Sequence, residues 1–291
     1  MEVGAQWPME FVKAARLSSR IGHAGCVVKL FRFFLGAMFA LCLIWLILMP
    51  REPSYQGKHL TEWLELYSTN RFPFDKEAES AIRHFGAAGP PIFLAKMTTR
   101  ESRIRLDLMT HVPKPVLRAL HIPSGNDYRA RIDHERQLGA YGFAASGPEA
   151  RPFVPDLMAL LNDKEPRVRY LTVFALRSLG PVASEALPSL IKCLDDPDFT
   201  IRDDAIASLG TIHEQPGRIV PIITNFLEKN RSNLILRGDA IRSLGSFGAD
   251  AKAAVPMISG FLNDNNEEVR SEASNALGRI DPTFARKAAV Q

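Results

Sequence analysis

Residues 155–180, PDLMALLNDKEPRVRYLTVFALRSLG, recur with substitutions as residues 188–213, PSLIKCLDDPDFTIRDDAIASLGTIH. Both stretches place a proline before an apolar run, an aspartate in a polar turn, and an arginine that leucine follows after seven residues. That arginine returns at spacings of 33, 33, 35 and 33 residues, as Arg136, Arg169, Arg202, Arg237 and Arg270. Self-similarity of this kind is typical of stacked-repeat proteins, so the sequence predicts a helical solenoid rather than a compact enzyme.

Each repeat is predicted to form two helices. Proline suits the first position of a helix because its missing N–H has no partner there, so short first helices are expected to begin at Pro155, Pro188, Pro221 and Pro256. The aspartates that follow suit caps or turns. The second helix contains the arginine, and its apolar residues recur at helical spacing. It is expected to end where a left-handed backbone is favoured, near Gly180, His213, Gly248 or Asp281. We expect about five to six helix pairs in a right-handed superhelix.

Helix pairs with this pattern resemble HEAT repeats, and they are most similar to the short bacterial HEAT-like type also seen in bilin lyases. The motif covers residues 131–283 and is carried by Val168-Arg169, Ile201-Arg202, Leu236-Arg237 and Val269-Arg270. The resemblance implies an all-α α-solenoid in which turn aspartates and arginines form a hydrogen-bonded ladder along the stack: Asp163 with Arg169, Asp196 with Arg202, and Asp264 with Arg270. Lys229 interrupts this ladder in the unit of Arg237.

A degenerate unit precedes these repeats. Residues 81–86, AIRHFG, match residues 240–245, AIRSLG, and residues 55–64 resemble the juxtamembrane opening of membrane-anchored HEAT-repeat proteins in Verrucomicrobia-type bacteria. The latter stretch predicts an amphipathic helix that covers the open end of the solenoid, as a terminal repeat must, with Leu60, Trp63, Leu64 and Tyr67. We therefore assign residues 51–98 to a capping helix and a degenerate repeat.

Residues 99–130 do not fit the period, and residues 284–291 form a C-terminal tail beyond it. The first of these segments contains Pro113, Pro115 and Pro123 and is rich in lysine and arginine. It is either a variant repeat with a long connection or a partner-binding insertion, because long ordered loops in compact folds are often functional.

The segment 33–49 is uncharged and nearly all apolar, which makes it long enough to span a bilayer, at the short end of the range. Basic residues crowd its N-terminal side, so the positive-inside rule places residues 1–32 in the cytoplasm. A cleaved signal peptide is the alternative, but a small-x-small cleavage site after the apolar run is missing. We expect a single-pass protein of the bacterial inner (cytoplasmic) membrane with its repeats in the periplasm or outside the cell.

The charge distribution argues against a nucleic-acid partner. The sequence pI is near 9.0, yet residues 1–50 hold five Lys/Arg against two acidic residues, which leaves 31 basic against 30 acidic residues in the remainder. A nearly neutral solenoid lacks the basic surface that nucleic-acid binding needs. The cysteines, Cys26, Cys42 and Cys193, do not form a disulfide framework, and Cys193 replaces an apolar core residue.

The sequence contains no motif for catalysis or metal binding. His134-Glu135-Arg136 lacks the second histidine of a zinc-protease helix, and Gly245-Ser246-Phe247-Gly248 is a predicted helix end rather than a nucleophile elbow. The glycines between positions 139 and 147 have neither phosphate-loop nor dinucleotide spacing. We therefore expect no catalytic residue, no cofactor and no metal.

Two slots on the second helices, one and five residues after each arginine, lie away from the leucine slot and should line the concave surface of the superhelix. Aromatic side chains fill these slots in the first half and polar ones in the second half. Clustered exposed aromatics mark recognition sites, so the candidate binding residues are Tyr141, Tyr170, Phe174, Arg177, Asp203, Arg242 and Asn275. In the alternative interpretation, the aromatics pack against residues 99–128.

The sequence thus favours a membrane-anchored scaffold that binds an unknown protein partner through its concave face, without catalysis. One alternative, implied by the resemblance to bilin lyases, is an enzyme or chaperone that binds a tetrapyrrole in the groove. A second alternative is a structural subunit of an envelope complex.

Overall fold

The computed structural model describes residues 52–69 and 75–283, and this part of the chain is almost entirely helical. It begins with a hairpin of two antiparallel two-residue strands, β1 (Ser54–Tyr55) and β2 (Lys58–His59). The helices that follow are α1 (Leu60–Thr69), α2 (Lys76–His84), α3 (Gly89–Met97), α4 (Arg103–His111), α5 (Lys114–Ala119), α6 (Gly125–Ser146), α7 (Val154–Leu160), α8 (Pro166–Leu179), α9 (Leu187–Cys193), α10 (Phe199–Ile212), α11 (Pro216–Lys229), α12 (Leu234–Ser246), α13 (Val255–Ser259) and α14 (Glu267–Ile280). Short 3₁₀ turns cover Gly86–Ala88, Gly147–Phe153, Gly180–Ala186, Gly248–Ala254 and Gly260–Asn263.

The N-terminal segment, the transmembrane helix and the tail predicted at residues 1–32, 33–49 and 284–291 lie outside the described residues. Within the part of the chain that is described, no helix combines the length and the apolar character that crossing a bilayer requires.

The packing of the helices is that of an α-solenoid. The second helices α6, α8, α10, α12 and α14 form one layer in which each contacts the next. The first helices α3, α7, α9, α11 and α13 each pack against the second helix of their own pair. These five pairs confirm the all-α repeat architecture, because each repeat buries its apolar face on its neighbours.

Small residues set the spacing between the second helices. Ala205, Ala240 and Ala273 share one slot and are fully buried. A Cβ atom on Gly210 would lie 2.9 Å from Cβ of Ser243 on the next helix, closer than two carbons can approach. The Ser243 hydroxyl donates to the backbone oxygen of Ile206 at 3.0 Å across the same contact. A larger residue at position 210 would therefore push α10 and α12 apart.

Three first helices begin where the prolines predict, since Pro155, Pro188 and Pro256 are each the second residue of their helix. The prediction for Pro221 is wrong, because it lies inside α11, which begins at Pro216. After α6, α8 and α12, a glycine with positive φ follows the second helix and begins a 3₁₀ turn. After α10, His213 and Gln215 both take the left-handed conformation, so Pro216 fills the first helical position.

Helix α1 buries the four residues predicted to cap the solenoid, Leu60, Trp63, Leu64 and Tyr67. Helix α2 packs on α1 and α6. It is followed by Gly86, at φ 48, and a 3₁₀ turn that leads into α3, just as Gly180 follows α8 and leads into α9. Helix α2 is therefore followed by the same kind of glycine and 3₁₀ turn as the second helix α8.

Residues 98–124 lie between α3 and α6, the two helices of one pair, where the next pair has only residues 161–165. They contain α4 and α5 and pack on the start of α6 through a small separate cluster of Met109, Tyr128 and Ile132. The segment predicted to be irregular is thus an insertion within a repeat, and it is largely helical.

The arginine ladder and a candidate binding surface

Arg169 joins two repeats through its guanidinium group. Its Nη1 donates to the backbone oxygen of Asp163 in its own turn at 2.8 Å. Its Nε and Nη2 donate to the two carboxylate oxygens of Asp196 in the next repeat at 2.8 and 2.9 Å. Both side chains are about nine-tenths buried, and a bidentate pair of this kind combines a strong interaction with a fixed geometry.

The ladder therefore exists, but its side-chain pairing is shifted by one repeat from the predicted one. Arg202 and Arg270 reach Asp196 and Asp264 of their own turns only through backbone oxygens, at 2.6 and 2.8 Å. The carboxylate of Asp264 instead accepts from Nη2 of Arg237, in the preceding repeat, at 2.8 Å. The predicted pairs are therefore hydrogen-bonded, but through the backbone oxygens of the aspartates. The carboxylates of Asp196 and Asp264 bind the arginine of the preceding repeat instead.

The inserted segment continues the ladder toward the N-terminus. Arg136 is 2% exposed and donates from Nε to the backbone oxygen of Thr99 at 2.9 Å, so Thr99 replaces the turn carbonyl. The carboxylate of Asp163 is held by Arg100, while Arg136 Nη2 lies 2.7 Å from Glu165 Oε2. At this end of the ladder, Arg100 and Arg136 together take the place of the single arginine found in the other repeats.

One rung is missing between the repeats of Arg202 and Arg237. In the turn of Arg237, the backbone oxygen that accepts from Nη1 belongs to Arg231, at 3.1 Å. Counted back from Arg237, the position of the turn aspartate is taken by Arg231. Counted forward from Pro221, it is taken by Lys229, the residue predicted to interrupt the ladder. Both residues are cationic, so Arg202 meets no carboxylate from the next repeat.

The first half of the candidate surface is a run of aromatic rings. Tyr141 on α6 lies edge-on to Phe174 on α8, with ring centroids 5.5 Å apart, and to Tyr67 on α1, at 6.2 Å. Tyr141, Phe174 and the nearby Tyr170 are each partly exposed. Burial raises the pKa of Tyr170 and that of Tyr67, the latter to about 12, so these phenols stay neutral. Two ring contacts of Tyr141 thus come from α1 and α8.

The second half of the surface is charged. Arg177 on α8 and Asp204 on α10 form an ion pair at 2.5 Å. Arg242 on α12 binds Asp239 on the same helix and Glu272 on α14, the latter at 2.8 Å. Asn275 is exposed further along α14. A cavity of about 370 Å³ opens between these helices, and its lining includes Arg177, Arg242 and Arg279.

Asp203 and Asp239 form a carboxylate pair between α10 and α12. Burial raises the pKa of Asp203 to about 7, and the hydrogen bond and charge of Asp239 add to the effect. Oδ1 of Asp203 is buried and receives no hydrogen bond from a donor within residues 52–69 and 75–283. The pair therefore holds a proton near neutral pH, as two adjacent carboxylates generally do.

Four partners on this surface were not singled out from the sequence: Tyr67, Asp204, Asp239 and Glu272. A signal existed for the three acidic residues, because each stands two residues after a ladder arginine. For Tyr67 only the capping role was visible.

Cys193 is buried, and burial raises the pKa of its thiol to about 11, which suits a core residue. No group of three or more histidine, cysteine or acidic side chains suited to a metal ion occurs among the residues described.

Comparison with known proteins identifies the repeats. Residues 136–219 match the family described as HEAT repeats. No curated protein sequence matches the chain. Residues 136–219 are thus similar to HEAT repeats, and the helix pairs in this part of the chain stack as those of an α-solenoid do.

Several solved structures are similar to the chain. One is the complex of CpcE and CpcF of phycocyanin lyase from Nostoc sp. PCC7120, at 24% identity over 53% of this chain and a TM-score of 0.43. The match spans 63% of the length of that lyase chain. Others are a designed armadillo repeat protein in complex with the peptide (KR)4, at 15% identity over 77% of this chain and all of that chain, and an engineered protein, at 17% identity over 77% and 96%. Both have TM-scores of 0.43.

Proposed function

We propose that the protein is a non-catalytic scaffold that binds a protein partner on the second-helix face, defined by Tyr141, Tyr170, Phe174, Arg177 and Arg242. The observation that carries the proposal is the pair of partly exposed rings of Tyr141 and Phe174, which the buried ring of Tyr67 supports from α1. Aromatic and arginine side chains dominate the binding energy of protein interfaces. Solenoid repeats present such residues on extended surfaces.

The charged half of the face indicates which chemical groups the partner should carry. Arg279, which forms no ion pair within the described residues, lines the cavity of about 370 Å³ with the paired Arg177, Arg242 and Asp239 and with serine and threonine hydroxyls. Guanidinium groups bind carboxylates in a fixed geometry. A segment that places an apolar side chain over Phe174 and an acidic side chain over this cavity would match the face.

The same proposal places the scaffold at a membrane, with residues 33–49 as its single anchor, residues 1–32 in the cytoplasm, and the repeats in the periplasm or outside the cell. The support is the uncharged run of that segment and the basic residues before it. Fusions of alkaline phosphatase and of green fluorescent protein to the C-terminus test this topology. Phosphatase activity without fluorescence supports it, and the reverse pattern contradicts it.

The binding face is tested by a photoreactive amino acid at position 174 of the full-length protein, followed by mass spectrometry of crosslinked products from living cells. We expect a discrete crosslinked protein, and we expect none from the same group at position 159, an exposed residue of α7 in the layer of first helices. Crosslinks only to other parts of the chain at both positions would overturn the proposal.

A matched substitution measures the contribution of the face. Phe174→Asp places a charge in the aromatic run, so partner capture should fall by a factor of a hundred or more, about 3 kcal/mol at an interface hot spot. Circular dichroism should show that the helical fold is retained. Capture that survives the change would exclude the aromatic run as the binding site.

A further inference from the structure

We propose that the missing rung of the ladder is a second binding site, which holds a carboxylate group of a protein partner against Arg202 and Lys229. The site lies on the turn side of the repeats rather than on the second-helix face. It does not depend on the function proposed for that face.

The geometry comes from the neighbouring intact rung. Arg169 uses Nη1 for backbone oxygens and keeps Nε and Nη2 for the two oxygens of Asp196. Arg202 uses Nη1 in the same way, for the backbone oxygens of Asp196 and Pro197 at 2.6 and 3.1 Å. Its Nε and Nη2 make no hydrogen bond within the described chain. A guest carboxylate would complete the bidentate pair that Asp196 forms with Arg169.

The space left by the missing aspartate is a cavity of about 620 Å³ between the turn after α9 and the end of α11. Arg202 and Lys229 line it, and Ile191, Ile222 and Phe226 supply an apolar wall. Its volume is in the range of pockets that hold small ligands. A polar group fixed by two cations beside an apolar wall suits an acidic residue with an apolar neighbour, or the C-terminal carboxylate of such a segment.

Two aspartates also line the cavity, and neither fills the vacant position. Asp196 is bound through both oxygens to Arg169. Asp195 is exposed and makes no ion pair within the described residues. Lys229 is exposed and has no ion pair in that part of the chain either. The vacant position therefore faces two cations, Arg202 and Lys229, and one carboxylate without an ion pair in the described residues, Asp195.

The test follows the Nε–Hε resonance of Arg202 by NMR in the full-length protein during titration with three probes. Ac-Leu-Asp-NH2 carries a side-chain carboxylate, Ac-Leu-Asn-OH a terminal carboxylate, and Ac-Leu-Asn-NH2 neither. We expect a saturable shift with at least one charged probe and none with the neutral one. The charged probe that binds identifies the source of the carboxylate. No shift with any probe, or equal shifts with all three, would overturn the proposal.

Two variants make the test specific. Arg231→Asp places a carboxylate of the chain itself in the vacant slot, so the affinity for the charged probe should fall about tenfold or more, equivalent to about 1.4 kcal/mol. Arg218→Gln removes an exposed charge on the same helix, α11, outside the cavity and should leave the titration unchanged. Equal affinity in Arg231→Asp and the native protein would contradict the site even where a shift is seen.

Discussion

The contact between α8 and α10 and the contact between α10 and α12 have the same helical geometry but opposite electrostatics. The first contains two pairs of opposite charge, Arg169 with Asp196 and Arg177 with Asp204. The second places Arg202 beside a cationic turn and sets Asp203 against Asp239. The α10–α12 contact therefore relies on apolar packing, small residues and the hydroxyl hydrogen bonds of Ser243 and Ser246. The α8–α10 contact adds charge pairs to its packing.

Because of this difference, we expect contacts between repeats of the same shape to differ in stability. The stability of a solenoid is approximately a sum of repeat terms and nearest-neighbour contacts. We therefore expect the array to open first between α10 and α12, since local opening follows the weakest contacts.

The largest effect should come from breaking the intact rung. Asp196→Ala leaves the nine-tenths-buried guanidinium of Arg169 without its carboxylate, which should cost about 3 kcal/mol and lower Tm by roughly 9 °C. Thermal unfolding followed by circular dichroism measures this. The neighbouring exposed Asp195→Ala is the control and should change Tm by less than about 2 °C. Equal losses in both variants would show that the rung carries no special stability.

The next largest effect concerns the carboxylate pair and pH. Because the pKa of Asp203 is raised to about 7 in the folded state and is about 3.9 in the unfolded state, the folded state binds the extra proton between these values. Its stabilising contribution is thus full below pH 4 and is lost as pH rises toward 7. Asp239 and Asp204 oppose ionisation of Asp203, and Arg177 favours it.

Asp203→Asn should therefore raise Tm at pH 8 by about 3 °C and flatten its dependence on pH between 4 and 7. Melting curves of both proteins across this range provide the measurement. Asn275→Asp, at an exposed position, serves as a charge control and should leave the slope as it is in the native protein. An unchanged slope in Asp203→Asn would mean that the pair does not hold the proton.

A smaller gain should follow from completing the ladder. Arg231→Asp should stabilise the fold by only about 0.5–0.7 kcal/mol, because position 231 is exposed although its backbone already lies in ladder geometry. Combining it with Arg202→Gln in a double-mutant cycle isolates the new pair. If the gain persists in the absence of Arg202, it arises from the lost charge of Arg231 and not from a rung.

The smallest effect is expected at the N-terminal end of the ladder. Arg100 is 41% exposed where it meets Asp163, and pairs of this kind contribute about 0.5 kcal/mol. Arg100→Ala should lower Tm by roughly 2 °C in low salt and by less in 1 M NaCl. Arg103→Ala, which removes a nearby exposed charge, should have no measurable effect. A loss near that of Asp196→Ala would show that Arg100 is a full rung.

The period, the helix pairs and the cap residues were predictable because they depend on local spacing and on burial of one helix face. The pairing within the ladder was not, because spacing shows that Arg169 and Asp163 recur but not that the guanidinium crosses to Asp196. The start of α11 was missed because Pro221 had the spacing of a first residue, while the left-handed Gln215 placed Pro216 there. Tyr141 and Phe174 contact each other across neighbouring second helices, but the contribution of Tyr67 depends on how α1 packs, which spacing does not show.

The place of the insertion has an entropic consequence. Residues 98–124 connect α3 to α6, whereas residues 161–165 make the corresponding connection in the next pair. For a flexible loop, the longer connection would cost only about 1.5 kcal/mol more in closure entropy than the shorter one. The two helices that it joins, α3 and α6, remain in direct contact. The chain can thus carry extra surface at this turn without altering the phase of the repeats that follow, so this position tolerates changes in length that the contacts between second helices do not.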